Sequence, residues 1–330
     1  MKALVTGAGG FIGSFLLKEL LRRGYSARAL FLPDEDASDA QQLKAEIVRG
    51  DLTKPETLKG ISDGIDIVFH LATRVLDWGS KKTFQRVMVE GTGNLLGESS
   101  GKIERFVYFS SLAALGLGQD VVGLDEDALR KRCGIPYCDT KIEAEDLVTS
   151  FCNEHGMAYT IIRPANVIGP GSAWVRDILD AYYRGPLPLI DGGKAPGAMV
   201  YVTNLVDGAL LAAESDKAIG RIYHFRDDYD ITWKEYLETL GSWIGKKPLG
   251  NIPFKLAWGL GAFLEALLTP LGIRPTMTRL AAGVMGRNND VDNSRARKEL
   301  GWKSRVHLEE AIKEIEQWVK SVYIPARKGS

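Results

Sequence analysis

Along the first half of the chain, short apolar runs alternate with longer stretches whose apolar positions recur at helical spacing. The runs Lys2–Thr6, Ala27–Leu32, Glu46–Arg49, Asp66–His70, Arg105–Phe109 and Tyr159–Ile162 have the length of strands. Most are nearly continuous in apolar residues, as strands are when helices cover both faces of a sheet. Between them, Phe11–Arg23 (leucines at 16, 17, 20 and 21), Phe84–Glu98 and Pro136–Cys152 predict helices. Strand and helix in strict alternation predict a doubly wound α/β architecture with a parallel sheet. After Pro164 the pattern loosens: Gly and Pro cluster at 169–171, 185–188 and 192–197, and helical spacing returns at about 203–214, 232–244 and 307–319. We read residues 1–164 as one domain, to which a strand at Arg221–Phe225 returns, and 165–330 as a smaller, mostly helical lobe interleaved with it.

Composition narrows the class. With 330 residues, 45% apolar and 25% charged, the chain can bury a large core. Lysine plus arginine and aspartate plus glutamate both number 42, so no global field draws it to nucleic acid. Cys133, Cys138 and Cys152 form no CxxC pair, and no His or Cys grouping suggests a metal site. The start, MKALVTGAGG, reaches glycine after five residues and reads as a strand rather than a signal peptide. A cytoplasmic location is the expectation. The stretch Phe254–Leu271 is interrupted by Lys255, Glu265 and Pro270, short of the roughly 20 apolar residues of a spanning helix. No transmembrane segment is expected, and the stretch reads as a lid, a peripheral membrane contact, a substrate wall or plain lobe core. Arg327 to Ser330 reads as a frayed tail.

The first strand runs into Thr6-Gly7-Ala8-Gly9-Gly10-Phe11-Ile12-Gly13, which opens a leucine-rich helix. Backbone amides and the positive helix end can face a pyrophosphate there, and glycines let the chain approach it. The motif has glycines at 7, 10 and 13, a GxxGxxG spacing. Strand before, helix after and position in the chain together favour a dinucleotide cradle over a mere tight turn. Asp34, Glu35 and Asp36 follow the second strand, where an acid suits the ribose of NAD, and no arginine follows that strand. NAD is therefore favoured over NADP, with NADP left open.

Tyr137 and Lys141 stand one helical turn apart on one face. An ammonium beside a phenol favours the phenolate, so the pair is expected to exchange a proton nearer neutrality than a free tyrosine does. Ser110 and Ser111 end the predicted strand Arg105–Phe109, at the sheet edge where ligands bind in doubly wound folds. The residues thus suggest that Ser111 orients a substrate oxygen, Tyr137 is acid and base, Lys141 tunes the tyrosine and contacts the cofactor ribose, and nicotinamide carries hydride.

The ordered set Thr6-Gly-x-x-Gly-x-x-Gly13, Gly50-Asp51-Leu52, His70-Leu71-Ala72, Ser110-Ser111, Tyr137-x-x-x-Lys141, Arg163–Pro170 and Asp292–Trp302 resembles the extended short-chain dehydrogenase/reductase family over essentially the whole chain. The resemblance implies a Rossmann-type sheet with a C-terminal substrate lobe. It also implies a cofactor flanked by Asp51 and Leu52 at the adenine, by Leu71, Ala72 and Thr73 at its centre, and by Pro164 and Val167 at the nicotinamide. Counting back five from Gly116 matches Ser111, not Ser110, to the family's catalytic serine or threonine. One departure is Met88, where the family usually has an asparagine thought to support a water chain to the lysine. The family's usual dimer would pair the helices near 84–98 and 136–152.

Within the family, two branches come closest: hydroxysteroid-dehydrogenase-like reductases and sugar-nucleotide epimerases. Leu112-Ala113 follow Ser111 where dehydratases place Asp-Glu, so dehydration is not expected. The greasy stretch leans towards a sterol- or lipid-like substrate, with Trp78, Leu112 and Asn166 as candidate contacts, and Leu115, Leu117, Val121 and Val122 as either pocket wall or ordinary loop packing. Arg176, Arg184, Lys194 and Arg287 would grip a diphosphate on the epimerase reading, against a default of scattered surface cations. His70 reads as structural. A dinucleotide-binding scaffold without chemistry is a third reading, opposed by the intact Ser111, Tyr137 and Lys141.

Overall fold

A computed structural model describes residues 1–74 and 77–328. In chain order its elements are β1 (Lys2–Thr6), α1 (Phe11–Arg22), β2 (Ser26–Phe31), α2 (Ser38–Gln42), β3 (Glu46–Arg49), β4 (Ile67–His70), α3 (Lys81–Gln85), α4 (Gly91–Ser99), β5 (Arg105–Phe109), α5 (Pro136–Glu154), β6 (Tyr159–Pro164) and β7 (Asn166–Ile168). There follow α6 (Ala173–Arg184), β8 (Leu189–Ile190), β9 (Met199–Tyr201), α7 (Val202–Glu214), β10 (Arg221–Phe225), α8 (Trp233–Ser242), β11 (Asn251–Ile252), α9 (Phe254–Leu268), α10 (Arg279–Gly286), α11 (Ser294–Leu300), α12 (Leu308–Trp318) and α13 (Ile324–Lys328).

Seven parallel strands form the main sheet in the order β10-β6-β5-β4-β1-β2-β3. Alternating side chains along each strand supply two cores. Ala3, Val5, Phe31, Phe69, Val107 and Ile162 pack against α1 and α7, while Leu4, Leu30, Val68, Phe106 and Ile161 pack against α4 and α5. The order reverses between β1 and β4, so the loops at their carboxyl ends splay apart into the crevice where such sheets bind ligands. A separate core around Tyr201, Trp233, Tyr236, Leu240 and Ile315 fills the second lobe.

Several boundaries depart from the sequence expectations. The helix expected over Phe84–Glu98 starts at Lys81 and contains a π-helical turn at Arg86–Glu90. β6 runs on to Pro164, and Arg221–Phe225 pairs with it as expected. α6, α9, α10 and α11 were not foreseen as helices. In α9 both faces are apolar, which erases the single stripe that reveals a helix in a sequence. Glu265 does not interrupt it because the carboxylate turns inward to Arg279, and Pro270 falls in the turn beyond its end. Phe254–Leu271 is, by length and composition only, the one stretch among the described residues apolar enough to cross a membrane. The chain end is not frayed from Arg327: α13 continues through Lys328 and Arg327 bonds to Asp180, while Gly329 and Ser330 lie outside the described residues.

Gly208 brings α7 onto the sheet, because a Cβ there would enter the ring of fully buried Phe225. Phe225 in turn packs edge-on against Trp302, so the ring has no free space to take. Gly208→Ala is expected to destabilise the fold by about 1–3 kcal/mol through overpacking. Equilibrium urea unfolding checks this, and an unchanged midpoint would mean that the α7 contact is not tight.

Candidate active site

The glycine turn closes where β1 ends. Gly7 adopts φ +70°, its carbonyl accepts from Gly10 N at 3.0 Å, and a Cβ at Gly7 would stand 2.8 Å from the Ala72 amide. A Cβ on Gly13 would run into the Gly7 carbonyl oxygen. At the start of α1, Gly10 offers no side-chain cap and the first turn holds no acid, so the amides leading into Phe11 and Ile12 are open to an anion. Near the end of β2 a cleft of about 470 Å³ is lined by Leu32, Pro33, Asp34, Glu35, Asp51 and Lys54. Asp51 takes two hydrogen bonds from Thr53 on one oxygen (2.9 and 2.8 Å), leaving the other without a partner among the described residues. Glu35 folds back so that one oxygen accepts from Leu32 N and the other lies against Gly9. Arg49, from the neighbouring β3, also reaches this corner and donates to the carbonyls of Leu32 and Glu35. Open helix amides, a cradle that any Cβ would fill and a carboxylate oxygen without a partner fit a dinucleotide.

Ser110 and Ser111 point to opposite sides. Ser110 donates to buried Glu145 of α5, whereas Ser111, in extended backbone, caps the short turn Leu112–Leu115 through Ala113 N and lies beside the Tyr137 phenol. The structure therefore brings Ser111 to Tyr137. Tyr137, Lys141 and Glu145 share one face of α5, and the Tyr137 ring is braced edge-on by Phe84 at 6.3 Å between centroids. Lys141 is buried; its Nζ donates to the Phe109 carbonyl at 2.7 Å and sits over the rings of Tyr108 and Tyr137.

These positions change the expected electrostatics. Burial pushes the Tyr137 phenol up to about 12, and the neighbouring Ser111 hydroxyl offsets this only in part. Burial also pulls the Lys141 ammonium down to about 7, with Glu145 opposing. Sequence spacing had suggested a tyrosine tuned downward by an adjacent ammonium. Instead Nζ lies over the ring face and bonds to a carbonyl, and loss of water disfavours both charged forms.

Behind the site lies a buried ionic network. Arg163 meets Glu145 through two bonds (2.9 and 2.7 Å), Arg130 adds a third at 3.2 Å, and burial, which would raise the Glu145 carboxyl, is outweighed by these cations and Ser110. A second polar line runs beneath the cradle. Thr92 donates to the Met88 carbonyl and so accepts from His70 Nε2–H; Nδ1 accepts from Thr6, whose oxygen receives the Ala72 amide. Met88 is buried within the π-helical turn, and its carbonyl is held by Thr92. Desolvation, with the Lys141 charge adding, drives the His70 imidazole down to about 3.

The family model for the NAD-dependent epimerase/dehydratase family matches residues 3–225. The chain belongs to this family. Relatives include a 4-hydroxy-2-methyl-3-oxo-4-farnesyl-3,4-dihydroquinoline-1-oxide ketoreductase of Stigmatella aurantiaca, 33% identical over 96% of each chain. A 3-beta-hydroxysteroid dehydrogenase of Mycolicibacterium neoaurum is 30% identical over 95% of this chain and 90% of its own. Among solved structures, that of gox2253 superposes with a TM-score of 0.79 at 28% identity, over 96% of this chain and 97% of the other. A UDP-glucose 4-epimerase from Thermotoga maritima (TM-score 0.78, 22% identity, 98% and 100% covered) shares the fold. As a member of the family the chain is an enzyme of the extended short-chain dehydrogenase/reductase type and binds a nicotinamide dinucleotide.

The expected substrate contacts are dispersed. Trp78 and Leu112 are half-buried, while Asn166 donates its side-chain amide to the Gly197 carbonyl at 2.8 Å and so ties β7 to the strap before β9. Pro164 ends β6 beside β10, and Val167 lies half-buried in β7. Leu71, Ala72 and Thr73 follow β4, with the Thr73 hydroxyl buried and without a partner among the described residues; Leu52 packs in the sheet core. Leu115 and Val121 pack with Val291, and Leu117 packs in the lobe core, so these three are structural, whereas Val122 is exposed. Arg287 binds Asp191 and stacks 3.4 Å over Phe254, which withdraws it from the supposed diphosphate set; Arg176 and Arg184 lie exposed on α6. Sequence reasoning missed Glu145, which continues the Tyr137 and Lys141 spacing by one more turn, and Arg163, which opens the Arg163–Pro170 motif.

His70 and His224 are both held near 3 by burial, well below the ordinary 6.5. Only the unfolded chain protonates these rings as pH falls from about 6.5 towards 3, so stability is full above that window and lost through it. The contribution of the two histidines to the melting temperature is expected to be constant above about pH 7 and to be lost below about pH 6. His70→Asn, less stable at neutral pH, should lose less on acidification; parallel slopes for the two proteins would contradict a neutral buried His70.

Proposed function

We propose that the protein reduces a ketone on a hydrophobic, sterol- or isoprenoid-like substrate, and oxidises the corresponding alcohol, with NAD(H) as its cofactor. The observation that carries this is the half-buried Tyr137 phenol, held protonated by burial, beside Ser111 and one helical turn from Lys141. Such a phenol is poised to give a proton to a carbonyl oxygen. Bound nicotinamide supplies or accepts the hydride. The chain's own residues do the rest. The amides of α1 hold the pyrophosphate, Asp51 and Leu52 border the adenine, Ser111 orients the substrate oxygen and Tyr137 transfers its proton. Lys141, titrating near neutrality, can reload the tyrosine and bind the ribose.

The carboxylate of Glu35 beside Gly9 favours NAD, since it would repel a 2′-phosphate at that corner. The relatives named for farnesyl-quinoline and steroid substrates support an apolar substrate. Leu112 and Ala113 supply no further acid or base for dehydration. Epimerisation of a sugar nucleotide loses support because Arg287 is committed to Asp191.

Absorbance of reduced nicotinamide followed with a 3-oxosteroid, an alkyl 3-oxo acid and UDP-glucose tests the reading. Stoichiometric loss of NADH with an apolar ketone is expected, with NADPH the poorer donor; turnover of UDP-glucose without net change in NADH would sink it. Adjacent serines give a sharper assay. Tyr137→Phe and Ser111→Ala should each lower turnover by about 10²–10⁴-fold with dinucleotide affinity retained. Ser110→Ala should keep turnover and cost about 1–3 kcal/mol of stability by removing a bond from buried Glu145. The reverse pattern in kinetics and urea unfolding would exchange the two roles.

A further inference from the structure

α9 is held to the protein along one face. Phe254, Ala257 and Gly261 are buried, Trp258 covers Gly118, and Glu265 receives the Arg279 backbone amide and Nε at 2.6 and 2.7 Å. The opposite face carries Leu256, Leu260, Phe263 and Leu267, continued by Leu271 and Ile273, each between 40% and 67% exposed. Steps of four, three and four residues set the first four in one stripe. Gly259, Ala266 and Pro270, also exposed, fill its margins, so no acidic side chain interrupts this face. A helix on a water-facing surface normally turns charged residues outward, and a contiguous apolar face marks a contact site.

Unpaired cations precede the stripe along the chain. Lys246 and Lys247, in the loop leading to β11, and Lys255, in the first turn of α9, are exposed and enter no ion pair among the described residues. We propose that this face docks on an anionic lipid surface, with α9 lying in the plane of the headgroup–acyl boundary and the three lysines among the headgroups. Buried apolar area and attraction to anionic lipid add in such a contact.

The charge of this surface favours lipid over a second copy of the chain. In either orientation, two-fold packing of this face on itself would leave the unpaired lysines without an acidic partner, because the face carries no acid. Spanning the bilayer is disfavoured too. The inner face of α9 is fixed to α10 and to Gly118, and the Glu265–Arg279 pair would have to enter hydrocarbon. Gly118 lies seven residues beyond Ser111 in the segment that leaves the catalytic turn, so docking through α9 sets the lipid surface behind that segment.

Flotation of the full chain with vesicles tests the proposal without any turnover, so its outcome is independent of the reaction proposed above. Wild type should float with vesicles of mixed phosphatidylcholine and phosphatidylglycerol and more weakly with phosphatidylcholine alone. Leu260→Ser, Phe263→Ser and Leu267→Ser should each weaken binding roughly tenfold. Lys246→Gln, Lys247→Gln and Lys255→Gln should each weaken it roughly fivefold on the mixed vesicles only. NADH affinity, unchanged in all six, reports that the variants are folded. No flotation on either vesicle, or flotation that the serine variants leave intact, overturns the proposal. So does a dimer in sedimentation velocity that the serine variants dissociate while vesicles go unbound, because the stripe is then a subunit seam.

Discussion

The candidate active site depends on how α5 grips the end of β5. Two consecutive groups there, the Phe109 carbonyl and the Ser110 hydroxyl, are taken by Lys141 and Glu145, one turn apart on the helix. Glu145 is in turn clamped by Arg163 from β6, and Arg163 reaches the Glu126 carbonyl and the His224 ring of β10. Glu126 receives the His224 amide and pairs with Arg295 of α11. One ionic chain thus couples the catalytic helix to three parallel strands and to the last part of the fold. Breaking a buried pair by removing one partner costs on the order of 3–5 kcal/mol, which makes the network a constraint on the whole molecule and not only on the site.

Dryness is the second theme. The same burial that fixes the side chains moves their protonation: His70 is neutral, Tyr137 keeps its proton and Lys141 is balanced between charged and uncharged forms near neutrality. Within the His70 line each donor finds one acceptor, so its direction is set by Thr92 bonding to Met88 and needs no titration. Met88 takes the place of the family's usual asparagine without opening the turn. Its carbonyl is engaged by the helix itself, which leaves Lys141 to depend on Phe109 for its hold.

Much of this was legible in the sequence, for physical reasons that differ by element. Sheet and cradle were visible because buried parallel strands are continuous in apolar residues and because close approach to a phosphate demands glycine at fixed places. Tyr137 and Lys141 were visible as a spacing, and the serine beside them as a strand end. What spacing could not convey was orientation and burial: the ammonium lies over the ring rather than at the phenol oxygen, and burial sets the direction of the tyrosine shift. Helix α9 was hidden by being apolar on both faces. The π-helical turn at Arg86–Glu90 was hidden because one residue of extra winding leaves almost no trace in periodicity. The tie from Asn166 to Gly197 and the lobe packing of Leu117 were hidden because an apolar or amide side chain near a cleft looks the same in sequence whether it faces a ligand or a neighbouring strand.

The opposed serines carry a consequence for how the protein can vary. Because successive side chains at a strand end alternate sides, gaining or losing one residue between β5 and the turn would hand the ligand-facing hydroxyl to the ionic clamp and the clamped one to the cleft. That junction is intolerant of length change even where it tolerates a change of residue. The segment from Gly116 to Gly134 bears no such parity. Changes of length can therefore accumulate there between the anchors Glu126 and Arg130, downstream of a count that must stay fixed.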